Sequence, residues 1–260
     1  ADHLDAVLET GLRTNHGSER VRTGGIKSYT DGSIGGRTAR LSEPYADGDG
    51  DERGVFVESP EDIADLVARV DDAGLQMTLH AIGDEAIELV VDAYEGTDGE
   101  RHRVEHAEVL TDDLIERLGE SDVVVSAQPN FLKWAEKGGL YTDRLGETRR
   151  RESNRFRALA DAGATLAFGS DCMPLDPLFG IEQVVNAPEP EQRLSVREAL
   201  RAYTSGAAYA GFDEDRMGTV EPGKLGDFVV LEESPWEAED IAAIDVAMTV
   251  VGGEVVYDGR

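Results

Sequence analysis

The feature that most restricts the fold of this chain is a repeated change of period. From residue 24 onward a short β-branched or apolar run is followed by a polar turn and then by an amphipathic helical stretch. The runs are IKSYT (26–30), QMTLHAI (76–82), RVEHAEV (103–109), VVVSAQP (123–129) and TLAFGSD (165–171). Five strands separated by helical crossovers predict a parallel sheet assembled from β/α units.

The intervening helices carry clear start and stop signals. In SPEDIADLVARVDDAG, Ser59 is the cap, Pro60 opens the first turn, Ile63, Val67 and Val70 share a face, and Gly74 ends the segment. Thr111 caps the helix in TDDLIERLGE, and Ser195 with Glu198 has capping-box spacing. After residue 213 the texture changes to GTVEPGKLGDFVVLEESPW and DVAMTVVGGEVVYDGR, which read as short strands joined by Gly-rich turns. Gly252 and Gly253 lie between two alternating runs and predict a hairpin. The expected division is residues 1–212 for the β/α portion and 213–260 for strands of a small second unit.

Composition narrows the function. The 260 residues, 40% apolar, can fill a sizeable core. Fifty-four acidic residues against 25 basic ones give a net charge of −29, scattered through the helices rather than gathered in a tail. That surface repels nucleic acid and anionic membranes, so neither is an expected partner. Of the 25 basic residues 21 are arginine, and pervasive acidity with scarce lysine predicts adaptation to a salt-rich cytoplasm. The single Cys172 excludes an internal disulfide. With no apolar run of about 18 residues and no charged-then-apolar leader, the chain is expected to be soluble and cytoplasmic. It opens without methionine on the helix-like ADHLDAVLETGLRT, and is therefore expected to be a piece of a longer protein.

Four residues stand at or near strand ends: Lys27, His80, His106 and Asp171. In a (β/α)8 barrel the C-terminal strand ends converge on one mouth, so distance along the chain is no bar to a shared site. Each residue has a plain alternative: a hydrogen-bonded core histidine, a helix cap ahead of Pro174 for Asp171, a salt bridge for Lys27. Together they read as metal chemistry, since imidazoles and carboxylates bind zinc, iron or manganese. A lysine among them is electrostatically wrong unless it is neutralised or modified.

The stretches GGIKSYTDGSIGGRTA, LHAIGDEAI, RVEHAEVL, SAQPNF and FGSDCMPLDP, with the tail GTVEPGKLGDFVVL, occur in an order that resembles the metal-dependent amidohydrolases. More narrowly the chain is similar to the amidohydrolase 3 branch, which includes N-substituted formamide deformylase. The resemblance implies an α/β TIM (β/α)8 barrel with a small β-sandwich. It implies one or two divalent ions, zinc first, with iron or manganese as alternatives. It assigns Lys27, N-carboxylated by carbon dioxide, together with His80, His106 and Asp171 as metal ligands, and Asp171 also as the general base. The implied reaction is hydrolysis of a C–N bond in a small-molecule amide, formamide or cyclic amide.

One departure matters. The family's first strand carries a His-x-His pair, and the remaining histidines here, His3, His16 and His102, have no such spacing. The expectation is therefore the C-terminal half of a protein about twice as long, inactive alone and prone to associate with itself or with its missing half. Arg37, Gln128 and Trp134 are candidate substrate contacts, against the alternatives of a surface arginine and a loop-packing tryptophan. Glu105 is expected on the strand face opposite His106, paired with Arg101 or Arg103, and Asp84 is expected to cap the helix after His80. Two rival functions stay open: a non-catalytic amidohydrolase-like regulatory or small-molecule-binding protein, and an enzyme using Cys172 as nucleophile.

Overall fold

The computed structural model describes residues 3–18 and 21–260. After a short helix α1 (Leu4–Glu9), the five runs form strands β1 (Ile26–Tyr29), β2 (Met77–Ala81), β3 (Arg103–His106), β4 (Val124–Ala127) and β5 (Thr165–Phe168). They pair in parallel in the order β1-β2-β3-β4-β5. The crossovers contain α2 (Pro60–Asp72), α3 (Asp84–Glu95), α4 (Asp112–Glu120), and α5 (Leu140–Arg151) with α6 (Phe156–Ala162). Each strand stops short of its apolar run. At the end of β3 the cause is backbone geometry: His106 has φ +78°, a value that breaks the pleat.

Register separates the two faces of the sheet. Lys27, Thr78, Arg103, Val124 and Thr165 form one cross-strand row, and Tyr29, His80, Glu105, Ser126 and Ala167 form the next. Residues in register share a face, so the ionisable side chains of these strands stand together. The alternate positions Met77, Leu79, Ala81, Val104, Val125 and Ala127 are fully buried and pack on Ile63, Val67 and Val70 of α2, Ile87 and Val90 of α3 and Leu118 of α4. At about 25 cal/mol per Å2, this helix-covered face is the main source of stability. Parallel strands are usually apolar on both faces. Here one face is polar because it borders a cavity.

The helix signals act as expected. Ser59 accepts from the Asp62 amide at 3.1 Å, Thr111 from Leu114 at 3.2 Å, and Ser195 and Glu198 make both arms of a capping box. Asp84 does not cap α3: Gly83 occupies the N-cap, and the buried Asp84 carboxylate accepts from the amide and hydroxyl of Ser42, the amide at 2.9 Å. A carboxylate at the first turn still favours the helix dipole, but its hydrogen bonds tie down the loop after β1.

After α7 (Pro177–Val185), helix α8 (Val196–Arg201) continues through a π-helical turn at Ala202–Gly206 into α9 (Ala207–Ala210). Strands β6 (Phe228–Leu231), β7 (Val246–Val251) and β8 (Glu254–Asp258) then form a separate antiparallel sheet in that order. Gly252 and Gly253, at φ +60° and +81°, make the predicted hairpin turn, conformations that cost an L side chain dearly. This sheet leaves Phe228, Val229, Val255, Val256 and Tyr257 exposed. Among the described residues no helix is long and apolar enough to cross a membrane.

Most of the acidic excess lies in exposed positions, while individual surface ion pairs are worth about 0–1 kcal/mol. Relief of repulsion therefore outweighs loss of pairs when salt is added. Raising KCl from about 0.1 M to about 1 M shortens the screening length from about 10 Å to about 3 Å and should raise the thermal midpoint. A flat or falling midpoint in a thermal melt would remove the halophile reading.

Candidate functional site

At the C-terminal ends of the strands lies a cavity of about 440 Å3 whose lining includes Lys27, His80, His106, Gln128, Trp134 and Asp171. The first two reach it by simple alternation, from the inner rows of β1 and β2. His106 reaches it differently. Alternation would send it to the helix side, but positive φ at His106 and Ala107 turns the chain back toward the mouth. Glu105 therefore lines the same cavity, and the expectation that it faces away from His106 is corrected. Its pairing with Arg103 does form: Arg103 Nε donates to Oε1 at 2.8 Å, while Ser126 Oγ donates to Oε2 at 2.7 Å. Arg101 pairs with Glu214 instead.

The two imidazoles are edge to face with centroids 4.5 Å apart, and Phe131 stacks on His106 at 5.8 Å. His80 Nε2 lies 2.8 Å from the Gly32 carbonyl. Burial holds His80 below the usual imidazole range, and lowers His106 to about 3, with the neighbouring His80 and Lys27 adding to the effect. Both rings are neutral near pH 7 and keep a lone pair for a ligand. Burial likewise lowers Lys27, opposed by the carboxylates of Glu105 and Asp171. Lys27 Nζ donates to the Ser28 carbonyl at 3.1 Å and lies 4.2 Å from the Tyr29 ring centroid. No carboxylate among the described residues is within ion-pair distance of it.

These residues fit a divalent cation in kind, but they do not complete a site. His106 Nδ1 is buried with no hydrogen-bond partner, an arrangement that costs about 1–3 kcal/mol unless something binds there. Gln128 Oε1 is orphaned in the same way. Yet among the described residues no three His, Cys, Asp or Glu side chains gather closely enough to hold a metal ion. Asp171 is exposed in the turn beyond β5, so the gathered donors are two imidazoles with Lys27 beside them.

The other candidates divide. Trp134 packs on Phe131 at 4.8 Å and Gln128 Nε2 donates to the Ser126 carbonyl at 3.2 Å, both at the cavity wall. Arg37 does not line the cavity. Its guanidinium, at the end of the turn at residues 34–37, is taken up by Asp47, Nε to Oδ1 at 3.1 Å. Cys172 is exposed and is not among the lining residues. Asp171 does not cap α7; Asp176 does, accepting from the Phe179 amide at 3.1 Å.

Four supports escaped the sequence reading. Asn130, fully buried beyond β4, donates to the carbonyls of Pro174 at 3.0 Å and Asp176 at 3.2 Å, and Lys133 Nζ donates to the Met173 carbonyl at 2.9 Å. These bonds fasten the turn carrying Asp171 to the wall carrying Trp134. Glu108 is buried against the Tyr141 hydroxyl, and burial pushes its carboxyl up to about 7. Asp31 is likewise pushed up to about 7 by burial, against the pull of the Gly83, Arg40 and Ile82 amides. Only Asp31 left a signal, as a carboxylate directly after a strand in TDGS. A larger cleft of about 930 Å3, lined by Arg149 and Arg155, lies elsewhere; those guanidiniums are occupied by Pro44, Asp112 and Glu191.

The chain is similar to known proteins along nearly its whole length. Residues 1–257 match the amidohydrolase family. The chain is 35% identical over 273 residues to Protein LONG AFTER FAR-RED 3 of Arabidopsis thaliana, covering 98% of this chain and 46% of that protein. It is 25% identical over 276 residues to N-substituted formamide deformylase of Arthrobacter pascens, covering 99% and 49%. An uncharacterized metal-dependent hydrolase from Pyrococcus furiosus superposes with a TM-score of 0.80 at 34% identity, covering 91% of this chain and 50% of that one. The chain thus spans about half the length of the relatives it matches. Histidines at adjoining strand ends beside a lysine, in a chain matched along nearly its whole length, make this protein a member of the amidohydrolase family, in its amidohydrolase 3 branch.

Proposed function

We propose that this chain supplies one wall of a metal-dependent hydrolase centre that cleaves a C–N bond in a small amide, formamide or cyclic amide. The observation that carries the reading is the pair of neutral imidazoles at 4.5 Å, with a buried, unpartnered His106 nitrogen, beside Lys27. His80 and His106 would hold the cation through their lone pairs. Lys27 would join them after its amine adds to carbon dioxide and loses a proton, which turns a repelling ammonium into an anionic oxygen donor. A divalent cation, zinc before iron or manganese, would there lower the pKa of water and polarise a carbonyl. Asp171 would accept the proton of the attacking water and pass it to the leaving nitrogen as the acyl–nitrogen bond breaks.

The wall formed by Ile34, Phe131, Trp134, Leu140 and Met173 favours a substrate with an apolar substituent, because burying such a group there removes both surfaces from water. Gln128 Oε1 offers one acceptor for a substrate N–H. The donors short of a full set, the closure of the sheet into a barrel, and the cover for the exposed face of β6–β8 would come from the half that relatives have and this chain lacks. On this reading the 260 residues alone hydrolyse nothing at a useful rate.

Metal analysis of the full-length protein separates this from a non-catalytic role: about one or two equivalents of zinc, iron or manganese is expected, and none would leave the binding-protein reading standing. In that protein Lys27→Ala should lose metal and activity. Bicarbonate with a short carboxylic acid should restore part of each by standing in for the carbamate, whereas Lys27→Arg, permanently charged, should not be rescued. Unchanged metal content in Lys27→Ala would remove the carboxylation step. Asp171→Asn should lower kcat by about 10^2- to 10^4-fold while the protein stays folded, and a near-normal kcat would exclude Asp171 as the base.

A further inference from the structure

Asp31 lies two residues beyond β1 and its side chain has 0% exposure. A carboxylate is buried that deeply only when its oxygens are satisfied. Oδ1 accepts from the Ile82 amide at 3.1 Å, and Oδ2 accepts from the amides of Gly83 at 2.9 Å and Arg40 at 2.8 Å. The first two belong to the turn that leaves β2 directly after His80. The third belongs to the loop that returns from β1. The segments approach more closely than any side chain allows: a Cβ added to Gly83 would run into the Arg40 carbonyl.

The same few residues grip His80 from the other side. The Thr30 amide donates to the His80 carbonyl at 2.9 Å, the Gly32 carbonyl lies 2.8 Å from Nε2, and Asp31 Oδ1 lies 3.5 Å from Nε2. A carbonyl can only accept, and a carboxylate beside it favours a donor, so both neighbours assign the ring hydrogen to Nε2. In a neutral imidazole the lone pair then resides on Nδ1.

We propose that Asp31 is a positioning residue for His80. Its carboxylate pins the turn at residues 82–83 and biases the ring to the Nε2–H tautomer against Gly32, so that Nδ1 is the nitrogen free to bind. The importance of that nitrogen rests on the reading of His80 as a metal ligand; the tautomer itself does not. A carboxylate that merely stapled backbone together would leave the ring's protonation pattern unchanged when removed, and this distinguishes the two roles.

The test is two-bond 1H–15N correlation of the histidine side chains in the 15N-labelled 260-residue chain at mildly alkaline pH, with His80 assigned by its loss in His80→Gln. The expected result is a single Nε2–H tautomer for His80 in the parent chain. In Asp31→Ala, shown to be folded by circular dichroism, averaged nitrogen shifts and an Nε2 proton exchanging about tenfold faster or more are expected. Asp31→Asn, which keeps one acceptor and the same volume, should fall between, and takes the place of the alanine variant if that does not fold. A proton on Nδ1 in the parent chain, or an unaltered single tautomer in a folded variant, would overturn the proposal. Zinc alone is then titrated: a shifted Nδ1 resonance, weakened about tenfold or more in Asp31→Asn, supports both readings. No zinc response with the expected tautomer change upholds the role of Asp31 and, because the donors of this chain fall short of a full set, leaves the ligand reading to the metal analysis of the full-length protein.

Discussion

A parallel sheet with one polar face is the constraint on which the rest of this molecule depends. Strand register puts Lys27 and Arg103 in one row and His80 and Glu105 in the next, so charge accumulates on a single face while β-strand side chains of the other face form the core. Such a face is tolerable only if its charges satisfy each other or border an opening. Arg103, Glu105 and Ser126 do the first. Lys27, His80 and His106 do the second.

The site is then made by departures from regular structure at the strand ends. Positive φ at His106 and Ala107 aims an imidazole that strict alternation would have buried under a helix, and positive φ at Asp171 and Cys172 bends the chain around the mouth. Strain of this kind, of order 1–3 kcal/mol per residue, persists only where surrounding contacts over-determine it. Here they do: Phe131 stacks on His106, and Asn130 and Lys133 bind the carbonyls that follow Asp171. The cost in stability is offset by the helix-covered face, which is dense and, apart from Ser28, apolar. Function and stability are thereby assigned to opposite sides of the same strands.

Arg37 shows where local reading fails. In GGRTA an arginine near glycines suggests a substrate contact, yet nothing in the sequence marks Asp47, ten residues on, as its partner. Loop residues are placed by whichever long-range contact wins, and such contacts have no period to read. Asp84 repeats the lesson, since its helix-cap position was visible but the Ser42 amide that claims its carboxylate was not.

The sequence by itself determined the elements. The change between strand and helix periods, the caps at Ser59, Thr111 and Ser195, the Gly252–Gly253 turn and the family motifs are local patterns, and local energetics suffice to fix them. It also brought Lys27, His80, His106 and Asp171 forward as one group, because a parallel sheet sends all its strand ends the same way. Only the tertiary structure decided that Glu105 shares the cavity with His106, that Arg37 turns away to Asp47, and that Asp31 is buried against three amides beside His80. Those outcomes depend on backbone twists at single residues and on contacts across tens of residues, where small differences in packing and hydrogen bonding choose between arrangements the sequence leaves equally open.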